Sequence, residues 1–403
     1  MHCTRKVTES IYWIGASDRR LALFENIFPI KRGVSYNSYF IDDEKTAVVD
    51  TVDAAVSKQF YENIEYLLNG RALDYLIVNH MEPDHSANIE ELFRRFPDVK
   101  IVCSLKAMHM ISAFFREDIT EKCIAVKEGD TLSLGTHELY FVMAPMVHWP
   151  ECMVSYESSE KVLFSADAFG TFGALNGNIF DDEAAFDSEA MQDARRYYTN
   201  IVGKYGMPVQ TLLKKAATLE IEVIAPLHGL VWRKNPGVLI EKYDKWSRYE
   251  AEEQAVMIVY ASMYGNTANA ADVMAVRLAE EGIKDIAVYD VSNTDLSELI
   301  AETFRCSHIV LACPTYNSGI YPLMEHYLLD MKALNVQNKV VGLIENGSWA
   351  VTSGTQMRKI LEEMKNMTIL DPVVTMDSSL KKENEETMEK LKEEICRTLN
   401  PAE

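Results

Sequence analysis

The loop Asn79-His80-Met81-Glu82-Pro83-Asp84-His85-Ser86 constrains this chain more than any other stretch. It follows the short apolar run 73–78 and precedes the helix-like run 87–93. A buried strand that passes through a loop into a helix is the unit of an open α/β sheet, and such sheets place ligands at the carboxyl ends of their strands. Within six residues the loop carries four candidate metal ligands, His80, Glu82, Asp84 and His85. Successive side chains of an extended backbone point to opposite faces. The alternation therefore sends His80, Glu82 and Asp84 to one side and leaves His85 for a second metal.

Three more ligand types follow strand-like runs: His148 after 138–144, Asp167 after 161–165 and His228 after 222–225. A lone histidine at such a place is ordinarily a hydrogen-bonded core residue. Four histidines and three carboxylates recurring at strand ends are enough for two metals with a bridging carboxylate. Asp167, short and lying between the others in order, is the natural bridge. His2, His109, His137, His308 and His326 lack this context and read as structural.

The flanking pattern gives the architecture. Strand-like runs at 11–14, 35–41 and 46–50 lead through a helix-like segment, 54–68, to the loop. After it come a strand at 100–103, a helix at 106–115, and strands at 131–134, 138–144, 153–156 and 161–165. A helical region over 183–219 and a strand at 222–225 complete the set. Two β-rich halves with helices between them predict an αββα sandwich. Beyond a charged, helix-like connector at 236–253 the texture becomes regular β-α alternation, with strands at 256–260, 286–289, 309–312, 340–344 and 373–374. That predicts a five-stranded, doubly wound parallel sheet of flavodoxin type. The domains expected are 1–252 and 253–403.

The second domain's own loops point to a mononucleotide. Ser262-Met263-Tyr264-Gly265-Asn266-Thr267 runs from a strand into a helix and offers hydroxyls and free N–H groups to a phosphate. It has neither Gly-x-Gly-x-x-Gly nor the Gly-Lys-Ser/Thr of a P-loop, so FMN fits better than a dinucleotide or ATP. Pro314-Thr315-Tyr316-Asn317-Ser318-Gly319 and Asn346-Gly347-Ser348-Trp349 follow the third and fourth strands, where they would wrap the flavin ring. Trp349 is placed to stack on it, and Asn346 and Gly347 to meet its polar edge.

Composition excludes several other classes. With 61 acidic and 40 basic side chains, a net charge of -21 argues against nucleic acid and anionic membranes. Seven cysteines without Cys-x-x-Cys spacing read as reduced thiols of a cytoplasmic protein. No window reaches the roughly 18 apolar residues of a membrane span, and no signal peptide is apparent.

His80-x-Glu82-x-Asp84-His85 with His148, Asp167 and His228 resembles the signature of the metallo-β-lactamase superfamily, with Glu82 where the zinc hydrolases carry a histidine. Extra carboxylate donation suits iron and its ferric state. With the flavin loops, the chain resembles the flavodiiron proteins, or A-type flavoproteins, over nearly its whole length. The resemblance implies that His80, Glu82 and His148 hold one iron and that Asp84, His85 and His228 hold the other, with Asp167 bridging. The family does not always use the residue at His85 as a ligand, and water can take that position. It implies reduction of dioxygen to water, nitric oxide to nitrous oxide, or both. Tyr197 or its neighbour Tyr198, in the helix-like run 195–199, is a candidate to hydrogen-bond an iron-bound species. The resemblance also implies a separate donor, rubredoxin or a reduced deazaflavin coenzyme, and a head-to-tail homodimer or dimer of dimers. The rival readings are a zinc or diiron thioesterase-like hydrolase with an accessory flavodoxin domain, and an electron carrier.

Overall fold

The computed structural model describes residues 1–184 and 188–399. It divides into two compact units, Met1–Asp244 and Lys245–Glu403, the division falling inside the helix Pro236–Ser247.

In the first unit a seven-stranded sheet runs from edge to edge as Arg5–Lys6, Ile11–Trp13, Tyr39–Ile41, Ala47–Val49, Tyr75–Val78, Lys100–Ser104 and Cys123–Val126. A five-stranded sheet runs Thr131–Ser133, Glu138–Met143, Met153–Glu157, Val162–Phe164, Val223–Ala225. Their inner faces share one apolar core, with Trp13, Tyr39, Val49, Ile77 and Val102 from one sheet and Phe141, Met153, Phe164 and Ala225 from the other. The intervening Val48, Leu76 and Ile101 are also buried, because crossover helices such as Ser57–Leu68 and Leu105–Phe114 cover the other face. Burial on both faces is why the central strands read as continuous apolar runs rather than alternations. The αββα expectation holds.

Three local expectations change. The run 35–41 is not one strand: Val34–Tyr36 pairs with Ala16–Asp18 in a separate ribbon, and Tyr39–Ile41 enters the large sheet. The break lies at Asn37, whose side chain turns aside to bind Trp13 Nε1 and the carbonyls of Pro226 and Gly229. Edge strand Cys123–Val126, parallel to Lys100–Ser104, is additional; two of its residues are half-buried and two exposed, which gives no alternation to read. The helical region 183–219, of which 185–187 lie outside the described residues, is broken. It contains helix Ser188–Tyr197, a π-turn Tyr198–Val202, a 3-10 turn Gly203–Tyr205 and helix Gly206–Ala216. Glycines in a helix interior weaken its continuation, and Gly203 and Gly206 stand at the breaks.

The second unit is a parallel sheet ordered Ile286–Asp290, Glu253–Tyr260, Cys306–Tyr316, Val340–Gly347, Thr368–Asp377, with Gly319–Ile320 folding back antiparallel on the third strand's end. The strand order reverses beside Glu253–Tyr260, which places a crevice at the carboxyl ends. The final helix, Glu385–Leu399, buries Met388, Leu391, Ile395 and Leu399 against one sheet face, as its three-and-four spacing predicts. Among the described residues no helix is long and apolar enough to cross a membrane.

At the opposite, amino ends of the strands, Lys339 is buried and its ammonium donates to the carbonyls of Cys306 (2.8 Å) and Phe304 (3.3 Å). Burial pushes its pKa down from 10.5 to about 8, with Cys306 and Glu252 opposing. Between those values the unfolded chain holds a proton that the folded chain does not, so stability rises with pH across that window. Unfolding of this unit, followed by flavin fluorescence from pH 7 to 10.5, should show the rise, and Lys339→Met, which removes the titrating group, should flatten it. Parallel pH curves for the two proteins would rule this out.

Candidate metal centre

Each candidate metal-binding side chain lies beyond a strand end on the same edge of the sandwich. Two of the approaches are set by strand register. Val162–Phe164 and Val223–Ala225 are parallel with Phe164 opposite Ala225, and Asp167 and His228 each lie three residues beyond that pair. Asn37 and Ser35 then hold the second loop: Leu227 O accepts from Asn37 N at 2.7 Å, and Ser35 Oγ accepts from Gly229 N at 2.7 Å. Gly229 has φ of 76°, and a β-carbon there would fall 1.9 Å from Thr171 Oγ1, so no other residue fits behind His228.

The loop 79–86 is anchored by Asp50, a buried carboxylate missed in the sequence. It accepts from Asn79 N (2.7 Å), Asn79 Nδ2 (2.9 Å) and His80 N (3.2 Å). Burial pushes Asp50 up to about 6, while His85 and these donors pull it back. Asn79 also ties the sheets together, accepting from Met153 N through its carbonyl and from Ser155 Oγ through Oδ1.

One expectation fails here. The loop is extended only to Glu82, since Pro83 begins a short helix, Pro83–Ser86. Asp84 is thereby turned away from Glu82 and joins His85 and His228 instead. The result is two sets, His80, Glu82, His148 and Asp167 in one, and Asp84, His85 and His228 in the other.

Asp167 stands between them. Its Oδ2 lies 3.3 Å from His80 Nε2 and 3.1 Å from His148 Nε2, and its Oδ1 lies 3.3 Å from His85 Nε2 and 3.7 Å from His228 Nε2. Glu82 Oε2 closes the first set at 3.0 Å from His148 Nε2 and 3.3 Å from His80 Nε2. Asp84 Oδ2 closes the second at 3.3 Å from both His85 and His228 Nε2. His85 is thus aimed at the second set, like the assigned ligands.

The arrangement is incomplete without cations. Asp84 Oδ1 and Oδ2, Asp167 Oδ1 and His85 Nδ1 are buried with no hydrogen-bond partner. Buried carboxylate oxygens in that condition cost several kcal/mol each unless a positive charge faces them. Burial disfavours charge on Asp167, yet His80, His148 and His85 hold its carboxyl well below the usual range. A cation in each set would place positive charge beside Asp167 and Asp84. The donor set, imidazole with carboxylate and no thiolate, suits iron.

Tyr197 and Tyr198 separate clearly. Tyr197 packs its ring 5.5 Å from that of His228 and 5.2 Å from Phe172, and its buried hydroxyl has no partner. Tyr198 lies instead against Tyr243, at 4.7 Å.

In the second unit the loops assigned to the flavin meet at the carboxyl edge. Ser262, Met263 and Tyr264 lead to Gly265, whose φ of 95° lets the chain turn into helix Asn266–Glu280. Asn346 Nδ2 donates to Thr267 Oγ1 (3.2 Å), joining the fourth-strand loop to the first. Thr315 Oγ1 accepts from Thr352 N (2.9 Å), joining the third to the fourth, while Pro314 and Tyr316 end the third strand, Asn317 and Ser318 form its turn, and Gly319 opens the strand that folds back. Asn346 Oδ1 is buried and unpaired, an acceptor that suits a flavin N–H. Gly347 sits in a tight turn, Ser348 bonds Ser378, and Trp349 is 77% exposed, open for stacking.

Known proteins share both halves. Residues 34–229 match a family model described as ODP family beta lactamase, and residues 258–391 match flavodoxin. A nitric oxide reductase of Moorella thermoacetica is 34% identical over 364 residues, 89% of this chain and 88% of its own. An anaerobic nitric oxide reductase flavorubredoxin of Escherichia coli is 32% identical over 349 residues, 85% of this chain and 72% of its own. The structure of a rubredoxin oxygen:oxidoreductase from Desulfovibrio gigas superposes with a TM-score of 0.91 at 27% identity, covering 98% of both chains. A flavo di-iron protein variant from Thermotoga maritima gives 0.88 at 26%, covering 97% of this chain and 98% of its own.

Asp167→Asn keeps the side chain's shape and removes the charge both sets face. Metal analysis of the purified variant should find iron lost from the chain and FMN retained, whereas a full iron complement would show that Asp167 is not the bridge.

Proposed function

The chain belongs to the flavodiiron proteins, and from that premise we propose that it reduces nitric oxide to nitrous oxide as its favoured reaction, and dioxygen to water as well. The relatives that match over 85–89% of the chain carry the name nitric oxide reductase, which supports the preference. The observation that carries the reading is Asp167, one oxygen toward each imidazole–carboxylate set. A zinc thioesterase reading is disfavoured by Glu82, which supplies a carboxylate to the first set where the hydrolases supply an imidazole.

Two nitric oxide molecules, two electrons and two protons give nitrous oxide and water; dioxygen takes four electrons and four protons to give two waters. When bound, FMN supplies two electrons and a pair of ferrous ions two more. The protein's residues do the positioning. Asp167 would set the spacing of the two positions, with Glu82 completing one set and Asp84 the other, so that two nitric oxide molecules, or both atoms of dioxygen, would be held together. Apolar rings close the pocket: Phe24 lies edge-on to His228 at 5.3 Å and Phe172 packs on Tyr197. In this reading Tyr197, whose buried hydroxyl has no partner, would be the hydrogen-bond donor to the substrate.

The flavin would be held by Ser262, Thr267 and N–H groups of the 263–266 turn at its phosphate, and by Thr315, Tyr316, Asn346, Gly347 and Trp349 at its ring. Electrons come from a separate carrier, rubredoxin or a reduced deazaflavin. The reading places the protein in the cytoplasm, in keeping with seven free cysteines.

We further propose a head-to-tail homodimer in which the flavin of one subunit serves the irons of the other. Anaerobically reduced protein, supplied with rubredoxin or reduced deazaflavin, should consume nitric oxide faster than dioxygen, and consumption of neither gas would end the reductase reading. A monomeric variant should keep both cofactors and lose rapid turnover. Undiminished activity in a true monomer would contradict the dimer.

A further inference from the structure

The three histidines whose Nδ1 surroundings are defined have very different atoms behind them. His80 Nδ1 donates to Glu151 Oε1 at 2.8 Å, with Cys152 Sγ at 3.2 Å from the same nitrogen. His228 Nδ1 donates to a neutral group, the Ser35 carbonyl, at 2.8 Å. His85 Nδ1 has no partner.

Glu151 is a fully buried carboxylate, with 0% of its side chain exposed. The chain positions it firmly: Oε1 also accepts from Met81 N at 2.9 Å, and its carbonyl accepts from Ser104 Oγ at 2.8 Å. Its other oxygen, Oε2, has no partner. Asp50, the other buried carboxylate under this loop, directs its oxygens to Asn79 and the His80 backbone N–H and touches no ring nitrogen. Among the described groups that back these three rings, Glu151 is therefore the one anion. Fixing Met81 N could have been done by a neutral acceptor, so a buried charge at this place calls for a further reason.

We infer that Glu151 is a positioning residue that makes the two metal positions unequal, raising electron donation from His80 to the His80/Glu82/His148 position above that of the Asp84/His85/His228 position. A carboxylate on the outer N–H of a ligating imidazole fixes the tautomer, so that Nε2 faces the metal, and increases the ring's basicity. A more basic donor favours the higher charge on the metal. The His80 position is then the lower-potential iron, reduced second and oxidised first. The Asp84 position, backed by a carbonyl or by nothing, is the higher-potential one and receives the first electron. This rests on the ligand assignment above.

The test uses the full chain loaded with FMN and iron. Glu151→Gln keeps the shape and an acceptor for His80 Nδ1–H while removing the charge. In redox titrations followed by the mixed-valence resonance and by iron Mössbauer spectra, the variant should raise the potential of one iron alone, narrowing the range in which the mixed-valence state exists. Chelator competition should show 10- to 100-fold weaker retention of one metal of the pair. A merely structural Glu151 would leave both potentials where they are, and a diffuse electrostatic effect would move both equally; either result overturns the inference. Wild-type protein loaded with diamagnetic zinc gives a reading that needs no variant. The Nδ1–H proton of His80 should resonate well downfield of that of His228, and coincident resonances would overturn the inference as well. Wild-type protein that fails to bind a metal pair would instead refute the ligand assignment.

Discussion

A single buried carboxylate lies between two groups of imidazoles, and much of the first unit serves to keep it there. Asp167 is nearly inaccessible and faces four histidine Nε2 atoms at 3.1–3.7 Å through two different oxygens. No side-chain packing alone would hold so many polar atoms together out of water, because each left unpaired opposes folding. The structural response is rigid: parallel register brings Asp167 beside His228, Asp50 clamps Asn79 and His80, and Asn37 clamps the His228 loop. Cations supply the charge that completes this frame. Pre-formed geometry of this kind limits the reorganisation needed when the metals change oxidation state.

The same frame explains what could be read from the sequence. Strands buried on both faces are short apolar runs, and ligand-type side chains recur at their ends, so the seven residues that the fold gathers into the two sets, and the two-sheet architecture, were legible in the sequence. The split between the sets was harder to see. Alternation predicts His80, Glu82 and Asp84 together, and Pro83, which begins a helical turn, is the residue that overrides it. That signal was present and outweighed by the period-two argument.

The supports were not legible for a different reason. Asp50, Glu151, Asn37 and Ser35 act on groups distant in sequence, Glu151 on His80 and Ser35 on His228, so nothing in their own neighbourhoods marks them. The flavin loops were legible as a set because a doubly wound sheet fixes where the first, third and fourth loops must converge, and Asn346 reaching Thr267 is that convergence in atomic detail. The choice between Tyr197 and Tyr198 depended on helix phase near a π-turn, which shifts the expected spacing by a residue.

The central claim is that one aspartate divides a single cluster into two metal positions. Anomalous scattering from crystals of the aerobically purified protein, recorded on both sides of the iron absorption edge, tests it most directly. Two iron peaks should flank Asp167, one contacted by His80, Glu82 and His148, the other by Asp84 and His228 with His85 adjacent. A lone peak, or a pair whose signal persists below the iron edge as zinc would give, would contradict it.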